Sequence, residues 1–139
     1  MRKLATLLPV LLLGCGPKPA LQGSVVDRNG TAMSRAIVSL SPGNAELVTD
    51  RDGNWKVDYL RDAGGERARL QKRTEYVLEV FKPGYHTFVT RLPYKKGVLV
   101  VDTVTMVEES IDLADLPENL DPSLYKTQTQ SSGANYEGQ

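Results

Sequence analysis

The sequence predicts an all-β domain, a seven-stranded antiparallel sandwich, and three observations predict it. From Leu21 to Val107 the chain consists of short runs rich in apolar and β-branched residues. Turn signals built on Gly, Pro, Asn and Asp separate these runs at frequent, uneven spacing. No stretch shows the periodicity of a strong amphipathic helix. An open barrel satisfies the same pattern and stays as the alternative.

The first strand is Leu21 to Asp27, closed by the tight-turn signal Asn29-Gly30. The second is Ala36 to Leu40, followed by Ser41-Pro42-Gly43-Asn44. Glu46 to Thr49 is a short third, and Asp50-Arg51-Asp52-Gly53 turns the chain. Asn54 to Tyr59 alternates, which puts Trp55, Val57 and Tyr59 on one face. Leu60 to Arg73 breaks the rhythm with Gly64-Gly65 and five basic residues, and reads as a long exposed loop with a helical turn near Glu66 to Leu70. Thr74 to Lys82 is a strong strand carrying Tyr76, Leu78 and Val80 on one face. Pro83-Gly84 turns it into Tyr85 to Leu92, and Val98 to Val107 completes the set.

Composition shifts after Val107. Acidic residues from Glu108 to Asp121 interleave with Ile111, Leu113 and Leu116, which suits a segment packed on the edge of the sandwich. From Ser123 to Gln139 the chain is poor in apolar residues and is expected to be disordered.

At the other end, Arg2 and Lys3 precede an apolar run from Leu4 to Leu13, and Leu12-Leu13-Gly14-Cys15 closes it. The run is well short of the roughly 20 apolar residues of a spanning helix. Its basic start and small residue suit a signal segment. Leu-Leu-Gly-Cys resembles the lipobox of bacterial lipoproteins. That resemblance implies cleavage between Gly14 and Cys15, with the lipid carried by Cys15. One acyl chain anchors only marginally, whereas several hold stably. Gly16-Pro17-Lys18-Pro19-Ala20 is then a short, stiff tether. The expected organisation is 1–14 signal peptide, 15–20 lipidated tether, 21–107 sandwich, 108–122 acidic segment and 123–139 polar tail.

Removing the first 14 of 139 residues would leave 125, with 15 Lys and Arg against 17 Asp and Glu. One domain of that size buries a single core. A near-neutral body argues against nucleic-acid binding, which wants a clustered basic face. Cys15 is the only cysteine, so no disulfide framework exists, and the lone His86 rules out a site built on two histidines. The sequence contains no Gly-x-Ser-x-Gly elbow, P-loop, dinucleotide fingerprint or HExxH motif. Asp50-x-Asp52-x-Asn54 is similar to the start of a calcium loop. Its sixth and twelfth positions hold Trp55 and Arg61 instead of Gly and Glu, so a hairpin turn is favoured and no metal or other cofactor is expected.

Three blocks in order carry a family resemblance. They are Gly23 to Asp27 with Asn29-Gly30 and Ala36 to Leu40, then Thr49-Asp50-Arg51-Asp52-Gly53-Asn54-Trp55, then Tyr76 to Val80 with Gly84-Tyr85. Together they resemble the carboxypeptidase regulatory-like domain. This resemblance implies a transthyretin-like, seven-stranded Greek-key sandwich in which Leu60 to Arg73 is an insertion. Gly30, Gly53 and Gly84 suit tight turns. Asp50 and Asp52 suit acceptors for turn amides, and Trp55 suits the centre of the core.

The expected function is a non-catalytic, lipid-anchored module of the cell envelope. It would be held at a membrane through Cys15, with the outer membrane favoured and its body in the periplasm or at the cell surface. Its expected partner is an envelope protein, met through a sheet edge, the 60–73 loop or the acidic segment. One alternative is carbohydrate binding by Tyr85, Phe88 and Tyr94. Another is the outer-membrane lipoprotein of type VI secretion, whose architecture is similar. A third is a 5-hydroxyisourate-type hydrolase, whose terminal signature Tyr136-Glu137-Gly138-Gln139 only partly resembles.

Overall fold

A computed structural model of the protein describes residues 14–127. The leader over 1–13 and the tail from 128 lie outside the described residues. The chain is all-β, a sandwich of two sheets with a small third sheet at one end.

Eleven strands are present among the described residues: β1 (Ala20–Val26), β2 (Ile37–Ser41), β3 (Ala45–Val48), β4 (Asn54–Val57), β5 (Leu60–Arg61), β6 (Arg67–Ala68), β7 (Thr74–Phe81), β8 (Thr87–Tyr94), β9 (Val98–Val100), β10 (Val104–Thr105) and β11 (Tyr125–Lys126). The five-stranded sheet runs β11-β8-β7-β2-β3 and is antiparallel throughout. The other main sheet has β4 antiparallel on one side of β1, with β9 and β10 following each other along its other side.

Two expectations change here. Seven strands become eleven, partly because the run from Val98 to Val107 splits into β9 and β10. The sandwich is also not wholly antiparallel. Both β9 and β10 lie parallel to β1, because the chain re-enters beside Ala20 and runs the same way.

Alternation builds the core. Tyr76, Leu78 and Val80 of β7 are buried, as are Val38 and Leu40 of β2 and Trp55 and Val57 of β4. They meet Leu21 and Val25 of β1 and Phe88, Leu92 and Tyr94 of β8 in one cluster. Each such aliphatic side chain stabilises the fold by about 1.5–3 kcal/mol relative to exposure. Tyr59 departs from the expected face. β4 ends at Val57, and Tyr59 lies outside under two guanidinium groups, with Arg67 at 4.3 Å and Arg61 at 5.7 Å from its ring centroid.

The loop expected over 60–73 is a hairpin, not a helical turn. β5 and β6 pair Leu60 with Ala68 and Arg61 with Arg67 around Gly64-Gly65. Leu60 and Leu70 are buried, so the hairpin is pinned to the core at both of its ends.

The acidic segment does pack on the sandwich. Ile111, Leu113, Leu116 and Leu120 are partly buried against the core, and two single 3-10 turns, Leu113–Asp115 and Pro122–Leu124, shape the path. The tail expected to be disordered from Ser123 begins with order instead. Tyr125 is buried, stacks edge-on against Phe88 at 5.5 Å and heads β11, because a single aromatic anchor outweighs the polar composition around it.

Candidate functional site

Turn chemistry sets the frame. In Asp50-Arg51-Asp52-Gly53-Asn54 the Asp50 carboxylate accepts the backbone N–H groups of Asp52 at 2.9 Å and Asn54 at 2.8 Å. Asp52 takes part through its amide, while its side chain is exposed. Gly53 closes the turn with a positive φ of 74°. A Cβ there would collide with the Val25 carbonyl, which accounts for glycine twice over. Two further segments repeat the pattern of Asp with Gly three residues on. Asp27 accepts from Asn29 and Thr31, and Asp62 accepts from Gly64 and Glu66. Gly30 and Gly65 have φ of 80° in these turns, and Gly84 has 83° in the turn before β8.

Thr49, beside the first of these turns, is buried. Its hydroxyl donates to the Met33 carbonyl at 2.6 Å and accepts from the Ala36 amide at 3.0 Å, tying the loop before β2 to the end of β3. Trp55 lies across β1 with its ring over Gly23, where a Cβ would sit 2.9 Å from the indole.

His86 is not a strand residue, and it is not open to a substrate. It precedes β8 and is buried, and its Nε2 lies 3.1 Å from the Ile111 carbonyl. A carbonyl only accepts, so Nε2 carries the proton. The ring fastens the acidic segment to the sheet.

The three aromatics weighed for carbohydrate do not form an exposed row. Phe88 and Tyr94 are buried and Tyr85 is half-buried. Burial, and then the nearby Tyr76, raise the Tyr94 hydroxyl above the usual phenol range. Its O–H donates to the Gly97 carbonyl at 2.8 Å. Tyr136 to Gln139 lie outside the described residues.

Gly14 and Cys15 are exposed at the start of the described chain. Residues 14–19 form no strand. The Ala20 amide donates to the Gly97 carbonyl at 3.0 Å, so this arm leaves the sandwich beside the turn between β8 and β9.

The feature most suited to binding lies along β8, and sequence reasoning named sheet edges only in general terms. β7 pairs with β8 from Thr74–Tyr94 to Val80–Phe88. On the other side β11 covers only Phe88 and Thr87. From Val89 to Tyr94 the outer edge of β8 has no partner strand among the described residues. Those six residues offer roughly 20 Å of open backbone. Pro93 stands there, as edge positions permit, and since it has no N–H the edge's donors come from the residues before it. Beside the edge runs a groove of about 480 Å³. Leu92 and Thr90 line one wall, Leu99 and Val101 another, and Leu120 and Leu124 of the strap, the segment from Glu108 to Lys126, a third. Tyr125 closes one end, its O–H donating to the Thr105 carbonyl at 2.7 Å.

No family model matches the chain, and no curated protein does. Solved structures do resemble it. A chain of a type II cohesin–X-dockerin complex from Acetivibrio cellulolyticus matches at 14% identity and a TM-score of 0.48, covering 66% of this chain and 59% of that one. Catechol 1,2-dioxygenase from Pseudomonas arvilla C-1 matches at 13% identity and 0.46, covering 78% and 58%. The dioxygenase domain of a carbohydrate-binding fusion from Streptomyces sp. SirexAA-E matches at 11% identity and 0.41, covering 66% and 84%. The chain thus spans less than two thirds of the length of the cohesin–X-dockerin chain. At these identities and scores the likenesses carry no argument about function.

Proposed function

We propose that the chain is a non-catalytic, lipid-anchored module of the cell envelope that binds a protein partner by adding a strand to β8. The observation that carries this reading is the stretch from Val89 to Tyr94, without a partner strand among the described residues, beside a groove where Leu92, Leu99, Leu120 and Leu124 alternate with Arg91, Asp102, Asn119 and Asp121. An extended segment laid there gains main-chain hydrogen bonds from the edge, and alternate side chains enter the groove. The chain's own β11 already docks on the same edge in this way, antiparallel to β8. Among the other edge strands of the main sheets, β3 and β4 have four residues each and are correspondingly short.

The anchor is the lipobox ending in Cys15, and the three sequence blocks support a transthyretin-like, carboxypeptidase regulatory-like assignment for the sandwich. Outer-membrane attachment follows from Gly16 after the cysteine, where aspartate would favour retention at the inner membrane. The non-catalytic part of the proposal is supported by His86, whose ring is buried, with Nε2 held by the Ile111 carbonyl and Nδ1 enclosed without a partner among the described residues.

Affinity capture from membrane extracts tests the binding reading. The parent chain should recover one discrete envelope protein, and Thr90→Lys, which puts a charge into the groove, should lose it at an unchanged melting temperature. Recovery that ignores Thr90→Lys contradicts the proposal. Metabolic labelling with a fatty acid tests the anchor. Label should appear on the parent and vanish in Cys15→Ser, and a labelled Cys15→Ser chain contradicts it.

A further inference from the structure

The two ends of the sandwich differ in charge, and the difference follows the arm that carries Cys15. β1 leaves the arm at Ala20, and the Ala20 amide bonds to Gly97 in the β8–β9 turn. The Arg73 amide donates to the Lys95 carbonyl at 3.2 Å, and Thr74 pairs with Tyr94. The start of β7, the end of β8 and the root of the arm therefore share one end of the molecule.

Lys18, Arg69, Lys72, Arg73, Lys95 and Lys96 are all exposed at that end. The segments that hold them, 14–20, 67–74 and 94–98, contain no Asp or Glu. None of the six is in an ion pair among the described residues. The nearest carboxylate on β7, Glu75, is held by Arg91 at 2.9 Å. The adjoining hairpin adds Arg61 and Arg67 against Asp58, Asp62 and Glu66, so it does not reverse the balance.

The opposite end has the other sign. Its turns carry Asp27, Asp50, Asp52, Glu108, Glu109 and Asp112. Four cations stand among them, Arg28, Arg35, Arg51 and Lys82, so the six carboxylates leave this end with a small negative excess.

We propose that the arm-bearing end is a membrane-facing surface that binds anionic phospholipid headgroups and stands the sandwich upright on the bilayer. This rests on the anchoring reading given above. Five residues, Cys15 to Pro19, separate the lipid from the first strand. Fully extended they reach about 17 Å. The arm therefore confines the basic end to within one or two Debye lengths of the headgroups. Clustered Lys and Arg next to an anchor are drawn to anionic leaflets, while the acidic far end is repelled from the same surface. The β8 edge, on the flank of the sandwich, is left clear for a partner.

Vesicle co-sedimentation of the mature chain, residues 15–139 carrying Cys15→Ser, tests the surface without the lipid and without the apolar leader. Vesicles containing phosphatidylglycerol should bind it at least tenfold better than vesicles of phosphatidylcholine alone. The preference should collapse in about 0.5 M salt, where screening is nearly complete. Adding Lys72→Glu, Lys95→Glu and Lys96→Glu to the same chain should abolish it without moving the melting temperature, since all three side chains are exposed. Equal binding to the two kinds of vesicle overturns the proposal, as does a triple variant that binds like its parent. Binding to duplex DNA as tight as to the anionic vesicles also overturns it, since the surface would then select no membrane. Fatty-acid labelling of Cys15 reports on the anchor alone, so the two readings fail separately.

Discussion

Gly23 and Trp55 face each other across β1 and β4, and the indole occupies the space that any larger residue at 23 would need. Gly23→Ala should cost about 1–3 kcal/mol, the usual range for overpacking a close-packed site, seen as a lower urea midpoint with an unchanged slope. Gly53→Ala should cost more, because it adds a collision with the Val25 carbonyl to the strain of a positive φ. The left-handed conformation alone costs roughly 1–2 kcal/mol in a residue with a Cβ. Asp27, Asp50 and Asp62 each accept two turn amides, and an Ala at any of them should cost about 1 kcal/mol. At this scale the sequence was informative where a rule is local. Asn29-Gly30 and Asp52-Gly53 announce their turns. Asp62 and Gly65 share the three-residue spacing of Asp27 and Gly30 and of Asp50 and Gly53, but the five basic residues between Arg61 and Arg73 suit an exposed loop equally well. Thr49 gave no signal, because its two partners are distant in sequence and only the fold brings them to it.

Among elements, the strap from Glu108 to Lys126 has the clearest consequences. His86 holds it at Ile111, and Tyr125 holds it at Phe88 and Thr105. Tyr125→Ala should destabilise the fold by about 3–5 kcal/mol, as losing a buried aromatic does. Tyr125→Phe should cost about 1 kcal/mol, since only the bond to the Thr105 carbonyl is lost. The strap also confers a pH dependence. Burial first, and the Asp121 carboxylate second, raise the Tyr125 hydroxyl above its usual range, and burial raises Tyr94. A phenol whose folded pKa exceeds its unfolded value of about 10 stabilises fully below that value and loses the contribution as pH rises through the folded one. Thermal unfolding followed from neutral pH upward should therefore show a fall in Tm beginning near pH 10. The doubly substituted Tyr94→Phe, Tyr125→Phe chain should fall less. Asp121 behaves in the opposite sense. Hydrogen bonds from Ser123 lower its pKa, so its contribution is present above the ordinary carboxylate range and is lost as pH falls through the folded value. Strand identity was mostly legible because alternation is a local pattern, as in Tyr76, Leu78 and Val80. The parallel placement of β9 and β10 was not legible, since pairing direction depends on where the chain re-enters.

For the whole molecule, the two sheets share one core, and among the described residues the edge of β8 from Val89 to Tyr94 has no partner strand and lies beside a groove of mixed apolar and polar lining. The anchor proposed at Cys15 rests on sequence alone, on the basic start, apolar run, small residue and cysteine that stand together there. The binding edge was not legible in the sequence, because an edge is a property of the finished sheet order and of how far β11 reaches along β8. On the proposed function, this edge receives a partner's strand at the membrane. Photo-crosslinking in intact cells tests it most directly, with a photoreactive amino acid placed at Thr90 on β8 and, for comparison, at Val48 on β3. The account predicts a single discrete adduct with an envelope protein from position 90, absent from position 48 and lost when Cys15 is replaced by Ser. No adduct from position 90, or the same adduct from both positions, would contradict it.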